Sequence, residues 1–105
     1  MTTLHVAAGE GRIVTNAGGS AIVYAGKPLN AESITTSGTS AQSSALASSG
    51  QKGRLFARCF AVDSAHYVVA GPDETASATN GYYVDSGGFI DLEIGPGDKI
   101  AAITA

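Results

Sequence analysis

Few residues in this 105-residue chain carry side chains able to do chemistry. Only His5, His66 and Cys59 offer nitrogen or sulfur to a metal, fewer than the clustered ligands a zinc site requires. Asp63 and His66 stand three apart, which on a strand puts them on opposite faces. Asp91 and Glu93 are two apart and share a strand face, so they are the natural cation pair. Calcium wants about six to eight oxygens, and the plainer reading of the pair is solvated surface. Serines are plentiful, but none sits in Gly-x-Ser-x-Gly. Gly9-Glu10-Gly11 and Gly95-Pro96-Gly97 open no helix, so neither implies a phosphate cradle. Tyr67, Tyr82, Tyr83 and Phe89 are candidates for a stacking platform, but basic residues are missing beside them, so they read first as core and interface aromatics. The expectation is a protein that is not an enzyme, with no catalytic residue, no cofactor and no metal site.

The elements that would carry these residues are strands. Of the 19 Leu, Ile and Val residues 14 are β-branched, and glycine recurs too often for helices of ordinary length. Thr3–Ala8 alternates, Gly9-Glu10-Gly11 breaks it, and residues 12–15 form a second run closed by Asn16-Ala17-Gly18-Gly19. Residues 21–25 and 33–36 follow, and then a polar stretch from Thr35 to Gly53 whose aliphatic anchor is Leu46. Residues 54–62 form the longest strand, with Arg54, Phe56, Arg58, Phe60 and Val62 on one face and Leu55, Ala57, Cys59 and Ala61 on the other. Neither face is purely polar, which suits a central strand covered on both sides at one end. Residues 65–70 are expected to pair with it across Asp63-Ser64. Asn80-Gly81 signals a type I′ turn, and strands follow at 82–85, 89–94 and 99–104. Gly95-Pro96-Gly97-Asp98 has proline and glycine where a type II turn wants them, so 89–104 reads as a hairpin. The fold expected is one all-β domain over residues 1–105, a two-sheet β-sandwich or jelly roll of about eight or nine short strands. Residues 1–8 are a possible extended arm.

Composition narrows the partners. Charged residues are 14% of the chain, against roughly 25% in ordinary soluble domains, and half the residues are Gly, Ala, Ser or Thr. Charge depletion marks the cores of protein interfaces. The six Lys and Arg are scattered, which argues against nucleic acid as a partner. No stretch approaches the ~18 apolar residues of a membrane span. A single cysteine excludes an internal disulfide framework, and Cys59 reads as a buried, inert thiol. His66, beside Tyr67, is expected at the surface or an interface. The first residues show neither the basic nor the apolar part of a secretory leader, so synthesis in the cytoplasm is expected.

The ordered set Ile34-Thr35-Thr36-Ser37-Gly38-Thr39-Ser40-Ala41-Gln42-Ser43, Tyr67-Val68-Val69-Ala70-Gly71, Tyr82-Tyr83-Val84 and Ile94-Gly95-Pro96-Gly97-Asp98-Lys99-Ile100-Ala101 resembles small all-β virion proteins of tailed bacteriophages, over about residues 34 to 103. Capsid decoration or cement proteins are the nearest class. The resemblance implies a virion component, often trimeric, that sits on the shell and bridges copies of the major capsid protein, with no catalytic residues to carry over. Three groups are expected to make contacts: Leu4, His5 and Val6 in the N-terminal segment; Ser37, Thr39, Ser40 and Gln42 in the polar loop 37–44; and Tyr82 and Tyr83 as aromatic anchors. A head–tail connector or tail component, and a carbohydrate- or receptor-binding module using the tyrosines, are the alternatives.

Overall fold

The computed structural model describes residues 2–16, 18–24, 26–46 and 54–105. Met1, Ala17, Ala25 and residues 47–53 lie outside them, and with these the end of the expected 21–25 strand, one residue of the 16–19 turn and the last part of the Thr35–Gly53 stretch. Nine strands are described: β1 (Thr2–Asn16), β2 (Gly19–Tyr24), β3 (Asn30–Thr36), β4 (Ala41–Gln42), β5 (Arg54–Ala61), β6 (His66–Gly71), β7 (Tyr82–Val84), β8 (Phe89–Ile94) and β9 (Lys99–Thr104). All pairings are antiparallel. One sheet runs β2-β1-β5-β8 with β3 also on β1; the other runs β4-β9-β6-β7. β1 and β3 lie over β9, and β8 lies over β6, which makes the all-β two-sheet sandwich expected from the sequence.

The core lies between the sheets. Leu4, Val6 and Ala8 of β1 meet Leu55, Ala57, Cys59 and Ala61 of β5, with Ile34, Val68, Val84, Ile94, Ile100 and Ala102 around them. Leu46 plugs this core from the loop after β4. Many of these side chains are small, so the two sheets approach closely and each large residue matters to the packing. Alternation along β5 and β8 places the apolar rows inward as read: Leu55, Ala57, Cys59 and Ala61, and Ile90, Leu92 and Ile94.

Several local readings need correction. Glycine does not break the first strand: β1 continues through Gly9 and Gly11. A Cβ at Gly11 would lie 2.9 Å from the Val23 carbonyl oxygen and 3.2 Å from the Phe56 ring, so glycine is there to admit close approach. The N-terminal segment is no extended arm, since residues 2–8 pair with β3 and residues 4–8 also with β5. β6 does not pair with β5; it belongs to the other sheet. The Gly95–Asp98 turn has the form expected, with the Asp98 amide donating to the Gly95 carbonyl at 3.1 Å and Gly97 at a φ of 83°. Yet the strands it joins do not pair, because the turn carries the chain from one sheet to the other. Asn80-Gly81 is not type I′, which needs positive φ at both residues, and no non-glycine residue described has one. Instead the Gly81 amide donates to the Ser77 carbonyl at 3.0 Å, while the Asn80 side chain accepts from the Ser77 amide and donates to the Thr75 carbonyl.

Candidate functional site

Long side chains are tied together on the outer face of the first sheet. Register sets it up. Ala7, Arg58 and Asp91 fall in one cross-strand row, and Gly9, Phe56 and Glu93 in the next. Beyond them Gly11 stands opposite Arg54 on one side and Tyr24 on the other. The run Ala7, Gly9, Gly11 leaves a bare stripe down β1. Long side chains from the neighbouring strands lie across it. The Tyr24 hydroxyl donates to Asp91 at 2.6 Å, although β2 and β8 are separated by two strands.

Arg58 is the centre of this cluster. Its Nε and one terminal nitrogen donate to the two oxygens of Asp91, each at 3.0 Å. Its guanidinium stands 4.2 Å from the centre of the Phe89 ring and 5.4 Å from that of Tyr24. The carboxylate raises the arginine's pKa through these hydrogen bonds, and burial followed by the hydrogen bond to Asp91 pushes the Tyr24 hydroxyl well above its ordinary value. Arg54 makes a second, exposed pair with Glu93 at 2.8 Å and covers Phe56, which is only 2% exposed despite facing outward. Asp91 and Glu93 are therefore each engaged by an arginine. No group of three or more metal-ligating residues comes together among the described residues.

Two depressions flank the cluster. A groove of about 400 Å³ runs between the β1–β2 hairpin, through Ile13, Ser20, Ala21 and Ile22, and the sheet face at Arg58, Phe89 and Asp91. A smaller hollow of about 200 Å³ lies on the other side of Tyr24, floored by Ala7, Ala8 and Gly9 and walled by Pro28 and Arg58. Both are mostly apolar; Arg58, which lines both, is held by Asp91, and Glu10 and Lys27 add charge to the rim of the smaller one.

No family model, curated protein or solved structure matches this chain.

The structure scatters the residues expected to make contacts. Leu4 and Val6 are 0% exposed and belong to the core, so they cannot serve as the outward-facing contacts expected of them. His5 is exposed on the outer face, near Ser33. The polar loop is stitched to its neighbours, and Gln42 stays exposed. The Ser40 hydroxyl accepts from the Ala76 amide, and Gln42 donates to Asp73 and to the Glu74 carbonyl. Ser37 accepts from the Thr39 amide, and both residues are exposed. Tyr82 and Tyr83 are exposed, but as successive strand residues they point to opposite sides of β7. Tyr83 packs edge-on against Tyr67 on the outer face of the second sheet, while Phe89 lies on the first sheet, so the four aromatics form no single platform.

His66 is not at the surface: it is 0% exposed. Its Nδ1 donates to the Ser64 carbonyl at 2.8 Å, and Nε2 accepts from the Thr36 hydroxyl at 2.6 Å. Thr36 is bonded in turn to Thr2, tying the start of β1 to the end of β3. Cys59 is buried as read, and burial pushes its thiol up to about 12. Sequence reasoning missed Tyr24, Ile13 and Ile22 as site residues. The available signal was the run of small residues on β1 beside a strand carrying a tyrosine.

Proposed function

We propose that this chain is a structural virion protein that binds and stabilises a bacteriophage capsid, a decoration or cement protein acting as a homo-oligomer on the major capsid protein. The observation that carries this reading is the placement of exposed apolar side chains. Phe60, Val62 and Phe89 stand on the outer face of the first sheet, Ile13, Val14 and Val23 on the β1–β2 hairpin, and Tyr82 and Tyr83 on β7. They are spread over several sides rather than gathered in one pocket, as suits a small body wedged among neighbours. Multivalent attachment lets shallow contacts of this kind sum, so no copy needs a deep site. The resemblance in residues 34–103 supports the virion setting and a trimer as the closed form.

The test is to add purified protein to capsids lacking it. Stoichiometric uptake with a raised capsid melting temperature is the expected result. Absence of uptake under assembly conditions overturns the proposal. A receptor- or carbohydrate-binding role for Tyr82 and Tyr83 is disfavoured by their opposite orientations, since a sugar face stacks on rings that share a side.

A further inference from the structure

We propose that the free edge of β2 is a homotypic interface, joining two copies of this chain across a two-fold axis by antiparallel β2–β2 pairing. An unpaired strand edge is a template for another strand, and folded proteins guard such edges by shortness, charge or cover. Among the described residues the other edges are guarded. β4 has two residues and β7 three. β8 carries Asp91 and Glu93. β3 carries Glu32, whose carboxylate accepts from the Ser44 amide and hydroxyl, so the segment after β4 lies against that edge. β2, Gly-Ser-Ala-Ile-Val-Tyr, is six residues long, has no charge and no proline, and no described strand pairs with its outer side.

The lack of charge points to a second copy as the occupant. A strand that pairs with itself sets its own side chains opposite one another, and like charges directly opposite are destabilising. β8 paired with its copy would bring carboxylates together; β2 brings only Ser, Ala, Ile, Val and Tyr. The hairpin also needs the company. Among the described residues β1 leaves β5 at Gly11, and residues 12–16 have β2 alone beside them. Ile13 is 44% exposed on one side of this ribbon, and Val14 and Val23 are 37% and 45% exposed on the other. Two-stranded ribbons are marginal alone, and three or more strands are needed for stability. Two ribbons joined edge to edge make four strands, with both apolar faces continued across the axis. Such a contact gives even-numbered assemblies: a dimer, or a hexamer if trimers form by another surface.

The experiment is solution mass by light scattering over a wide concentration range. The wild type is expected at twice or six times the chain mass. Ala21→Lys places a charge on an exposed residue of β2 and is expected to halve that mass, while Ala21→Thr and a loop control, Ala78→Lys, leave it unchanged. Circular dichroism and urea melts show whether Ala21→Lys is folded. Should it not fold, the cysteine substitutions Ala21→Cys, Ile22→Cys and Val23→Cys decide: under mild oxidation a residue at the axis must form a disulfide-linked pair, which the buried Cys59 cannot supply. A monomeric or odd-numbered wild type, an unchanged mass in folded Ala21→Lys, or no crosslink in the whole cysteine series overturns the inference. Capsid uptake is scored separately: a folded half-mass variant that still loads onto shells leaves the virion reading standing, and a paired wild type that never loads removes that reading and leaves the β2 contact.

Discussion

Between Leu4 and Ala8, β1 has β3 on one side and β5 on the other, and its inward side chains are sealed from water. Between Arg12 and Thr15 the same strand has, among the described residues, only β2 beside it, and all four side chains are exposed. Both halves carry β-branched residues. What separates them is the number of neighbouring strands, a property of the whole fold. Among the described residues the body has strands on both sides of β1, while the hairpin is built of body-type residues with a strand on one side alone.

The largest expected effect sharpens this contrast. Leu4→Ala removes a fully buried side chain from between the sheets and is expected to cost about 2–5 kcal/mol in urea denaturation. Ile13→Ala, the same kind of truncation on the exposed half, is expected to change stability by no more than about 0.5 kcal/mol in the dissociated chain. Equal costs would break the comparison.

His66→Ala comes next. It leaves the Ser64 carbonyl and the Thr36 hydroxyl without their buried partner, and a cost of about 1–3 kcal/mol is expected from that desolvation alone. The loss should appear in the body, as faster amide exchange at the start of β1 and the end of β3, and not in the hairpin.

Alkaline pH acts on the body as well. The Cys59 thiol is pushed from 9.0 up to about 12 by burial. A raised thiol pKa favours the unfolded chain once that chain can ionise. Its contribution is therefore intact below pH 9 and lost as pH climbs towards 12, by at most about 1.4 kcal/mol per pH unit. Tyr24, also raised, adds to the loss above its ordinary ionisation range. Cys59→Ala is expected to flatten the first part of that decline, read as urea midpoints across pH 8 to 11.

A smaller loss than at His66 is expected at the seam between the regions. Tyr24→Phe deletes the hydroxyl that reaches Asp91 and is expected to cost about 0.5–1.5 kcal/mol. Its more telling consequence is local: the hairpin should exchange faster while β5 and β6 stay as they were.

Much of the fold was legible because β-branched residues, alternation and turn chemistry are local. The inward rows on β5 and β8, the type II turn at Gly95–Asp98 and the burial of Cys59 follow from near neighbours in the chain. Sheet assignment does not. The Gly95 turn sets the direction of β9 but not its partner, and the short link Asp63-Ser64 crosses between sheets instead of closing a hairpin. The contact residues were poorly legible for a related reason. Leu4 and Val6 read as a sticky alternating strand whether that strand is central or free. The hydroxyls of the 37–44 loop read as surface, whereas several are spent on amides such as Ala76 and Ile100. The Arg58–Asp91–Tyr24 cluster depends on the register of four strands, which periodicity alone does not fix. Its traces were Arg54 and Arg58 on one face of β5 and Asp91 and Glu93 on one face of β8.

Amide hydrogen exchange along β1, followed from dilute to concentrated protein, tests the account most directly. The amides of Leu4–Ala8 are expected to be protected at every concentration. Those in the ribbon, across residues 12–15 and 20–23, should exchange orders of magnitude faster in the dilute chain and gain protection as copies associate. A ribbon as protected as the body in the isolated monomer would show that one chain completes the structure by itself, and would contradict the account.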